Sequence, residues 1–404
     1  MEYSFAGKRI VVGITGSIAA FKVAGWVSTL AKEEARVSVV MTESAQKFIA
    51  PLTFSALTAE STYTSMFDQA QSSPMSHIDL AQDASVFLIA PASARTIARL
   101  AHGIADDLLT TSVLATRAPV VVCPAMNPKM YLHQATQDNI ERLRQFGYLI
   151  VDPDSGLMAC KDEGQGRLVE WESVQEVLLR CLLKNDLQGE RILITAGPTR
   201  EALDPARFIS NRSSGKMGYA LARAAYRRGA DVVLVSGPTA LQCPFGVKRI
   251  DVVTAREMYD AVLAEFNTAT MLIKSAAVSD FRPAVSFEHK VKKENAGETI
   301  EVVRNPDILY EIGRLKREPE QIVVGFAAES GNLLEEGKIK LQRKNLDLIA
   351  VNDITSGDSG FEVETNKMIL VDAESSKQLP WASKIDTAHM IFDYICQNLR
   401  KTGK

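Results

Sequence analysis

The sequence predicts an α/β protein of two doubly wound, mostly parallel-sheet domains, and three observations carry that expectation. Near-continuous apolar, β-branched runs alternate with stretches of helical periodicity along most of the chain, as strands buried on both faces of a parallel sheet require. The pattern also opens twice, at residues 8–22 (KRIVVGITGSIAAFK) and 190–204 (ERILITAGPTREALD). Each opening runs a strand into a turn of Gly, Thr, Ser or Pro that leads towards a helix, aiming backbone N–H groups and a helix N-terminus at an anion. Finally, the polar stretch NDLQGE separates the two series and places the boundary at about residue 188, giving domains 1–188 and 189–404. With 404 residues and 46% hydrophobic content, the chain can fill a core in each.

In the first domain the expected strands are RIVVGI, RVSVVM, SVFLIA, PVVVCPA and YLIV, separated by helical stretches such as IAAFKVAGWVSTLAKE. Residues 171–184 form an amphipathic helix before the break. In the second, RILITA, DVVLVSG, TMLIKSAA, QIVVGFAAE, LDLIAVND and KMILVD read as strands, with GKMGYALARAAYRRG and TAREMYDAVLAEF as helices. Residues 281–304, with Pro, Gly and a lysine cluster, break the alternation and read as a loop or flap crossing a ligand site.

A net charge of −3 offers no broad basic field for nucleic acid, so the expected partners are small molecules. Five scattered cysteines without a CxxC pair argue against a disulfide framework. The N-terminus lacks a signal-peptide pattern and no apolar run reaches membrane-spanning length, so a cytoplasmic location and no membrane contact are expected.

Four segments of the first domain carry chemistry. GITGSIAA (13–20) departs from GxGxxG and by itself suits any phosphate or none. APASARTIARLAHGIADDLLTT (90–111) follows a buried strand with small and hydroxyl residues that let a ligand approach the backbone. CPAMNPKMY (123–131) sets Asn127 at the carboxyl end of a strand, where it can hold a carboxylate or cap a helix begun by Pro128. In DPDSGLMACKDEGQGR (152–167), Cys160 lies on a Gly- and Asp-rich loop, able to act as acid or nucleophile. His77, in MSHIDLA, reads either as an active-site group or as a satisfied surface residue.

GSIAA, PASAxTIA, GIADDLL, PAMNxxM and ACxDxGxGR together resemble the homo-oligomeric flavin-containing cysteine decarboxylases, in particular the phosphopantothenoylcysteine decarboxylases, over most of residues 7–170. The resemblance implies FMN contacts from Gly16, Ser17, Ile18, Thr42, Ser93, Ala94, Thr96 and Ala125, with Arg95 standing where many members carry Asn. It further implies His77 as the active-site histidine, Asn127 as binder of the substrate carboxylate and Cys160 as the acid. Losing CO2 from a cysteine carboxyl leaves a carbanion without an electron sink, so the thiol is first oxidised to a thioaldehyde that delocalises the charge. Return of hydride and a proton then makes the step redox-neutral.

In the second domain TAGPTREALDPARFISNRSSGKMGYALA (195–222) is the densest motif. SSGKMG lacks the Walker A pattern, because Met217 replaces the magnesium-binding hydroxyl, yet it still opens a helix towards an anion. SAAVSDFRP, HKVKK, NPDIL, GFAAE and KLQRKNLDLI follow, the last setting Lys340 and Lys344 at i, i+4 on one helix face. These motifs resemble the phosphopantothenate-cysteine ligases, and the order decarboxylase then ligase is that of bifunctional bacterial enzymes of coenzyme A biosynthesis. The resemblance implies CTP contacts from Asp280, Lys290, Asn305, Pro306, Asp307, Ile308, Phe326, Lys340 and Lys344. Asn211 would hold an acyl cytidylate, and Arg207 and Ala276 would line the ligase site.

The substrates implied are 4'-phosphopantothenate, L-cysteine and CTP with Mg2+, whose ligands the sequence does not single out. The assembly implied is a homo-oligomer, a dodecamer of trimeric decarboxylase and dimeric ligase contacts. Two rival readings stand beside this one. The first is a dinucleotide-dependent oxidoreductase with Glu43 on the ribose; the second is a non-catalytic flavoprotein subunit, disfavoured by the joint presence of His77, Asn127 and Cys160.

Overall fold

The computed structural model describes residues 3–67, 75–158, 161–292, 299–315, 321–329, 331–353, 365–366 and 368–400. The chain divides into two compact units, Met1–Leu183 and Lys184–Lys404. The division precedes residue 188 because Asp186 pairs with Arg228 and Leu187 is fully buried in a core of the second unit.

In the first unit β1 (Arg9–Ile14), β2 (Arg36–Met41), β3 (Val86–Ala92), β4 (Val120–Pro124) and β5 (Leu149–Ile150) form an all-parallel sheet ordered β2-β1-β3-β4-β5. Helices α1 (Ala20–Lys32), α2 (Pro51–Thr58), α3 (Ser76–Asp83), α4 (Ala94–Ala101), α5 (Leu108–Ala115), α6 (Pro128–Tyr131) and α7 (Gln134–Gln145) follow or separate these strands, and α8 (Trp171–Leu182) closes the unit. Phe87, Ile89, Val120 and Val122 pack with Ile97, Leu109 and Leu143 into one core. The alternate residues Leu88 and Val121 are also fully buried, so both sheet faces are covered, as the continuous apolar runs require. Strand order reverses between β1 and β3, which opens a crevice at their carboxyl ends. Beyond β5, the antiparallel hairpin of β6 (Asp154–Leu157) and β7 (Glu163–Arg167) flanks the loop read from sequence around Cys160.

The second unit departs from its expected order at once. After β8 (Arg191–Ala196) comes no helix but an antiparallel hairpin, β9 (Arg200–Asp204) and β10 (Arg207–Ser210), and only then α9 (Lys216–Arg227). Its turn is fixed by Asp204, whose carboxylate accepts the backbone N–H groups of Ala206 and Arg207 at 2.8 and 2.9 Å. Next come β11 (Asp231–Ser236), β12 (Lys248–Asp251), α10 (Ala255–Phe266) and β13 (Met271–Lys274). The flap read at 281–304 is a hairpin at its base, β14 (Phe281–Pro283) against β15 (Val302–Arg304), because Arg282 and Val303 pair across its ends.

The chain continues through α11 (Ile308–Arg314), β16 (Ile322–Glu329), α12 (Leu333–Arg343), β17 (Leu348–Asp353), β18 (Thr365–Asn366), β19 (Met368–Val371), β20 (Ser376–Gln378), β21 (Ala382–Ser383) and α13 (Lys384–Tyr394). The main sheet runs β12-β11-β8-β13-β16-β17-β19-β20, parallel as far as β17 and antiparallel at β19 and β20. Successive strand residues divide between two cores: Ile192, Ile194 and Ile273 lie under α9 and α13, Leu193 and Leu272 under α10 and α11. The order reverses between β8 and β13, the second crevice.

Candidate active sites

The first crevice is built by four strand ends. The turn after β1 is held by Thr15, whose hydroxyl donates to Pro91 O at 2.6 Å and accepts the Ser93 N–H at 2.9 Å, tying β1 to β3 across the reversal. Ser93 caps α4, accepting from the Thr96 N–H at 3.4 Å, and its hydroxyl lies 3.2 Å from that of Thr96. Thr42 follows β2 and donates its N–H to Ile14 O at 3.0 Å; Ala125 follows β4 and donates to Ala92 O, also at 3.0 Å. Gly16, Ser17, Ile18, Thr42, Ser93, Ala94, Thr96 and Ala125 therefore all lie at the carboxyl edge of the sheet or in the first turn of a following helix. Ile18 and Phe21 are left 59% and 62% exposed beside the turn, an apolar flank to a hydroxyl-lined crevice.

Next to Thr42 lies a cleft of about 430 Å³ lined by Glu43, Thr64, Met66, Asp106 and Asp107, so the GIADDLL motif forms one wall. Asp107 caps α5 in a reciprocal capping box, and Arg99 pairs with Asp106 at 2.6 Å and Asp107 at 2.9 Å. Hydroxyls, backbone N–H groups at a helix start and an apolar flank fit the phosphate and ring of a flavin mononucleotide.

Asn127 caps α6: its Oδ1 accepts the Lys129 N–H at 2.9 Å, so the capping role weighed from sequence is real. Its Nδ2 also donates to Asp162 Oδ2 at 2.6 Å, bringing the β6–β7 hairpin onto this strand end. Cys160 lies outside the described residues. His77 sits in the first turn of α3, half-buried, and among the described residues its Nδ1 is buried without a hydrogen-bond partner. A buried, unsatisfied imidazole nitrogen is costly unless a ligand or partner uses it.

The second crevice brings together most of its sequence-predicted residues. Asn211 Nδ2 donates to Ala277 O at 3.4 Å and Val278 O at 3.0 Å, linking the segment after β10 to the one after β13. Ala276 is buried and its N–H donates to Thr195 Oγ1 at 3.2 Å. Asn305 Nδ2 donates to Ser279 O and its N–H to Asp280 O, both at 2.9 Å, which joins residues 305–308 to the same loop. The loops interlock through glycine: a Cβ on Gly237 would stand 1.8 Å from Pro198 O.

Charge collects at the far side of this crevice. Lys344 pairs with Asp307 at 2.8 Å, and Lys340 pairs with Glu329 at the end of β16. Lys344, the C-cap of α12, donates its N–H to Lys340 O at 3.1 Å, so the two lysines stand one helical turn apart and pair with different carboxylates. Burial pushes the Asp307 carboxyl up, but the hydrogen bond and charge of Lys344 outweigh it and hold the group below its usual range. The side chain of Ile308 belongs to the core at 2% exposure, so only its backbone can face a ligand; Phe326 is half-buried on β16. Pro306 lies between Asn305 and the Asp307 cap of α11.

Arg207 does not point its charge into open space. Its guanidinium donates to Asp204 at 2.6 and 3.0 Å and to Val291 O at 3.2 Å, beside Lys290. Arg207, with the N–H groups of Ala206, Val291 and Arg207, holds the Asp204 carboxyl well below its usual range. Arg207 thus anchors the flap at Val291, next to Lys290.

Sequence reasoning missed Lys274. It ends the central strand β13, and burial, helped by the nearby charge of Lys344, pulls its pKa down to about 8 against the opposing carboxylates of Asp307 and Asp280. The available signal was a lysine interrupting the apolar run TMLIKSAA at the strand order reversal. Among the described residues no cluster of His, Cys, Asp and Glu could hold a metal ion, and no helix is long and apolar enough to cross a membrane.

Residues 2–183 match the Flavoprotein family, and residues 187–399 match the DNA/pantothenate metabolism flavoprotein C-terminal domain family. The chain is 44% identical over 402 residues to the coenzyme A biosynthesis bifunctional protein CoaBC of Bacillus subtilis (strain 168), covering 98% of each. It is 46% identical over 396 residues to the protein of that name from Escherichia coli (strain K12), covering 97% of each. A solved C-terminal domain of such a protein is 40% identical and covers 54% of this chain and 98% of its own, with a TM-score of 0.46.

Proposed function

The chain belongs to the family of coenzyme A biosynthesis bifunctional proteins, and on that premise we propose how its two crevices divide the work. It is a phosphopantothenoylcysteine decarboxylase and phosphopantothenate-cysteine ligase, acting in the cytoplasm. The observation that best supports the division is the placement of the two predicted residue sets at two separate strand-order reversals, one hydroxyl-lined and one charged.

In the second unit (189–404 by sequence) the ligase acts first. The carboxylate of 4'-phosphopantothenate attacks the α-phosphate of CTP, pyrophosphate leaves, and the cysteine amine displaces CMP from the acyl cytidylate. A carboxylate is a poor acyl donor, so the nucleotide supplies the leaving group. Lys290, Lys340 and Lys344 offset the charge on the departing pyrophosphate, to which Mg2+ carried by the nucleotide phosphates would add its own charge. Asp280, Asn305, Pro306, Asp307, Ile308 and Phe326 shape the nucleotide pocket, and Asn211 and Ala276 present the acyl group. Arg207 serves by anchoring the flap through Asp204 and Val291.

In the first unit, FMN would be held by Gly16, Ser17, Ile18, Thr42, Ser93, Ala94, Thr96 and Ala125. When bound it supplies reversible two-electron oxidation of the substrate thiol. Asn127 holds the substrate carboxylate until it leaves as CO2, His77 completes the site, and Cys160 donates the final proton. The protein acts as a homo-oligomer, the assembly that the resemblance of its sequence implies.

Full-length protein incubated with 4'-phosphopantothenate, L-cysteine and CTP should release CMP, pyrophosphate and CO2, and should carry a yellow flavin spectrum. Intact flavin-loaded protein that releases none of the three defeats the proposal, and bound NAD in place of flavin would favour the oxidoreductase reading.

A further inference from the structure

The β6–β7 hairpin contributes a carboxylate to the strand end that carries Asn127. Asp162 Oδ2 accepts from Asn127 Nδ2 at 2.6 Å, a short, charge-assisted contact, while Asn127 Oδ1 accepts the Lys129 N–H at 2.9 Å. The hairpin that delivers Asp162 is seated by its backbone. Met126 donates its N–H to Gly166 O at 3.0 Å, and a Cβ on Gly166 would lie 2.3 Å from Met126 O. A Cβ on Gly164 would lie 3.1 Å from Pro128 Cβ, and Met158 donates its N–H to Asp162 O at 3.0 Å. The carboxylate therefore reaches Asn127 from a frame fixed on both sides of it.

A primary amide has a donor end and an acceptor end of nearly equal shape. Turned over, Asn127 would set its carbonyl against a carboxylate that can only accept, and its NH2 against the Lys129 N–H. Two repulsions would then replace two hydrogen bonds. The helix cap opposes that flip with one neutral bond, and Asp162 adds the stronger, charged one.

We propose that Asp162 is a positioning residue for decarboxylation, locking the polarity of the Asn127 amide so that its second N–H, not the carbonyl, meets the substrate carboxylate. This rests on the reading of Asn127 as the carboxylate-binding residue. The lock discriminates: it acts on a ligand that carries a carboxylate and is indifferent to the same chain without one. The decarboxylation product is that same chain without the carboxylate.

The test uses the flavin-loaded, full-length protein. Two quantities are measured: KM for 4'-phosphopantothenoylcysteine, and the inhibition constant of 4'-phosphopantetheine, the competing product. Asp162→Ala should raise the ratio of KM to that constant about tenfold, the effect of one lost hydrogen bond to a charged group. The inhibition constant and flavin content should hold steady. Asp162→Asn, which keeps an acceptor, should restore most of the ratio; were Asp162→Ala to lose flavin, Asp162→Ser replaces it with the same two outcomes. An unchanged ratio, or KM and the inhibition constant rising together, overturns the lock. Asn127→Ala is measured in parallel. If it leaves the ratio unchanged, the reading of Asn127 and the lock fall together; if it raises the ratio while Asp162→Ala does not, the lock alone fails.

Discussion

The first unit lines the turns of its crevice with hydroxyls and backbone groups, Thr15, Thr42, Ser93 and Thr96, and ties Asp106 and Asp107 to Arg99, whereas the second gathers Lys274, Asp307, Lys340 and Lys344. Both crevices arise from one device, a parallel sheet whose strand order reverses. The sheet supplies a place, and the polar groups at the strand ends decide what it can hold. A hydroxyl-lined cradle suits a cofactor that stays and returns unchanged. A charged one suits a nucleotide that is broken and must release pyrophosphate.

The strongest way to break this division is to disable each half separately. Cys160→Ser should slow formation of 4'-phosphopantetheine by about a hundredfold or more, with CO2 still leaving in a first turnover and ligation persisting, and Asn211→Asp should stop CMP release while decarboxylation of supplied phosphopantothenoylcysteine persists. One variant abolishing both activities would contradict two separate sites.

A second contrast lies in how each unit tolerates charge inside. Arg228 is 2% exposed and pairs with Asp186 at 2.5 Å and Asp393 at 2.9 Å, while its Nη1 donates to His389 O at 2.9 Å. Arg228→Ala removes a buried cation from two carboxylates that are each 31% exposed and leaves a cavity, and should destabilise the second unit by about 3 kcal/mol. Chemical denaturation followed by pyrophosphate release should show the loss, with flavin retention unaltered.

Lys274 has a milder, pH-dependent signature. Its folded pKa, about 8, lies below its ordinary 10.5, so between those values the unfolded chain binds the extra proton. Stability of the second unit should therefore rise as pH increases from 8 to 10.5, by at most about 3 kcal/mol. Lys274→Met should raise stability at pH 7 and flatten that rise; an unchanged pH profile in the variant would exclude Lys274 as its source. Smallest is Ser93→Ala, which removes the α4 cap and should cost about 1 kcal/mol, read as weaker flavin retention on thermal challenge.

Legibility in the sequence followed the range of the interactions. The β1 run RIVVGI and the Ser93 turn were plain because strand burial and capping are local patterns. The β9–β10 hairpin was hidden because a Gly- and Pro-containing turn after a strand reads as leading towards a helix, and its strands are only five and four residues long, turned back by Asp204. The i, i+4 spacing of Lys340 and Lys344 could be read locally, but their separate partners, Glu329 and Asp307, lie on other elements. Lys274 and Asp162 gain their meaning from partners far away in sequence; Asn127 and Asp162 are 35 residues apart.

The join at Leu183 and Lys184 has a thermodynamic consequence. Each unit closes its own cores, so melting of this protein should not be a single cooperative event, and one transition temperature does not describe it. A heating scan should resolve two endotherms. Added flavin should displace one of them and added CTP the other, each by the mass-action increment of its own equilibrium.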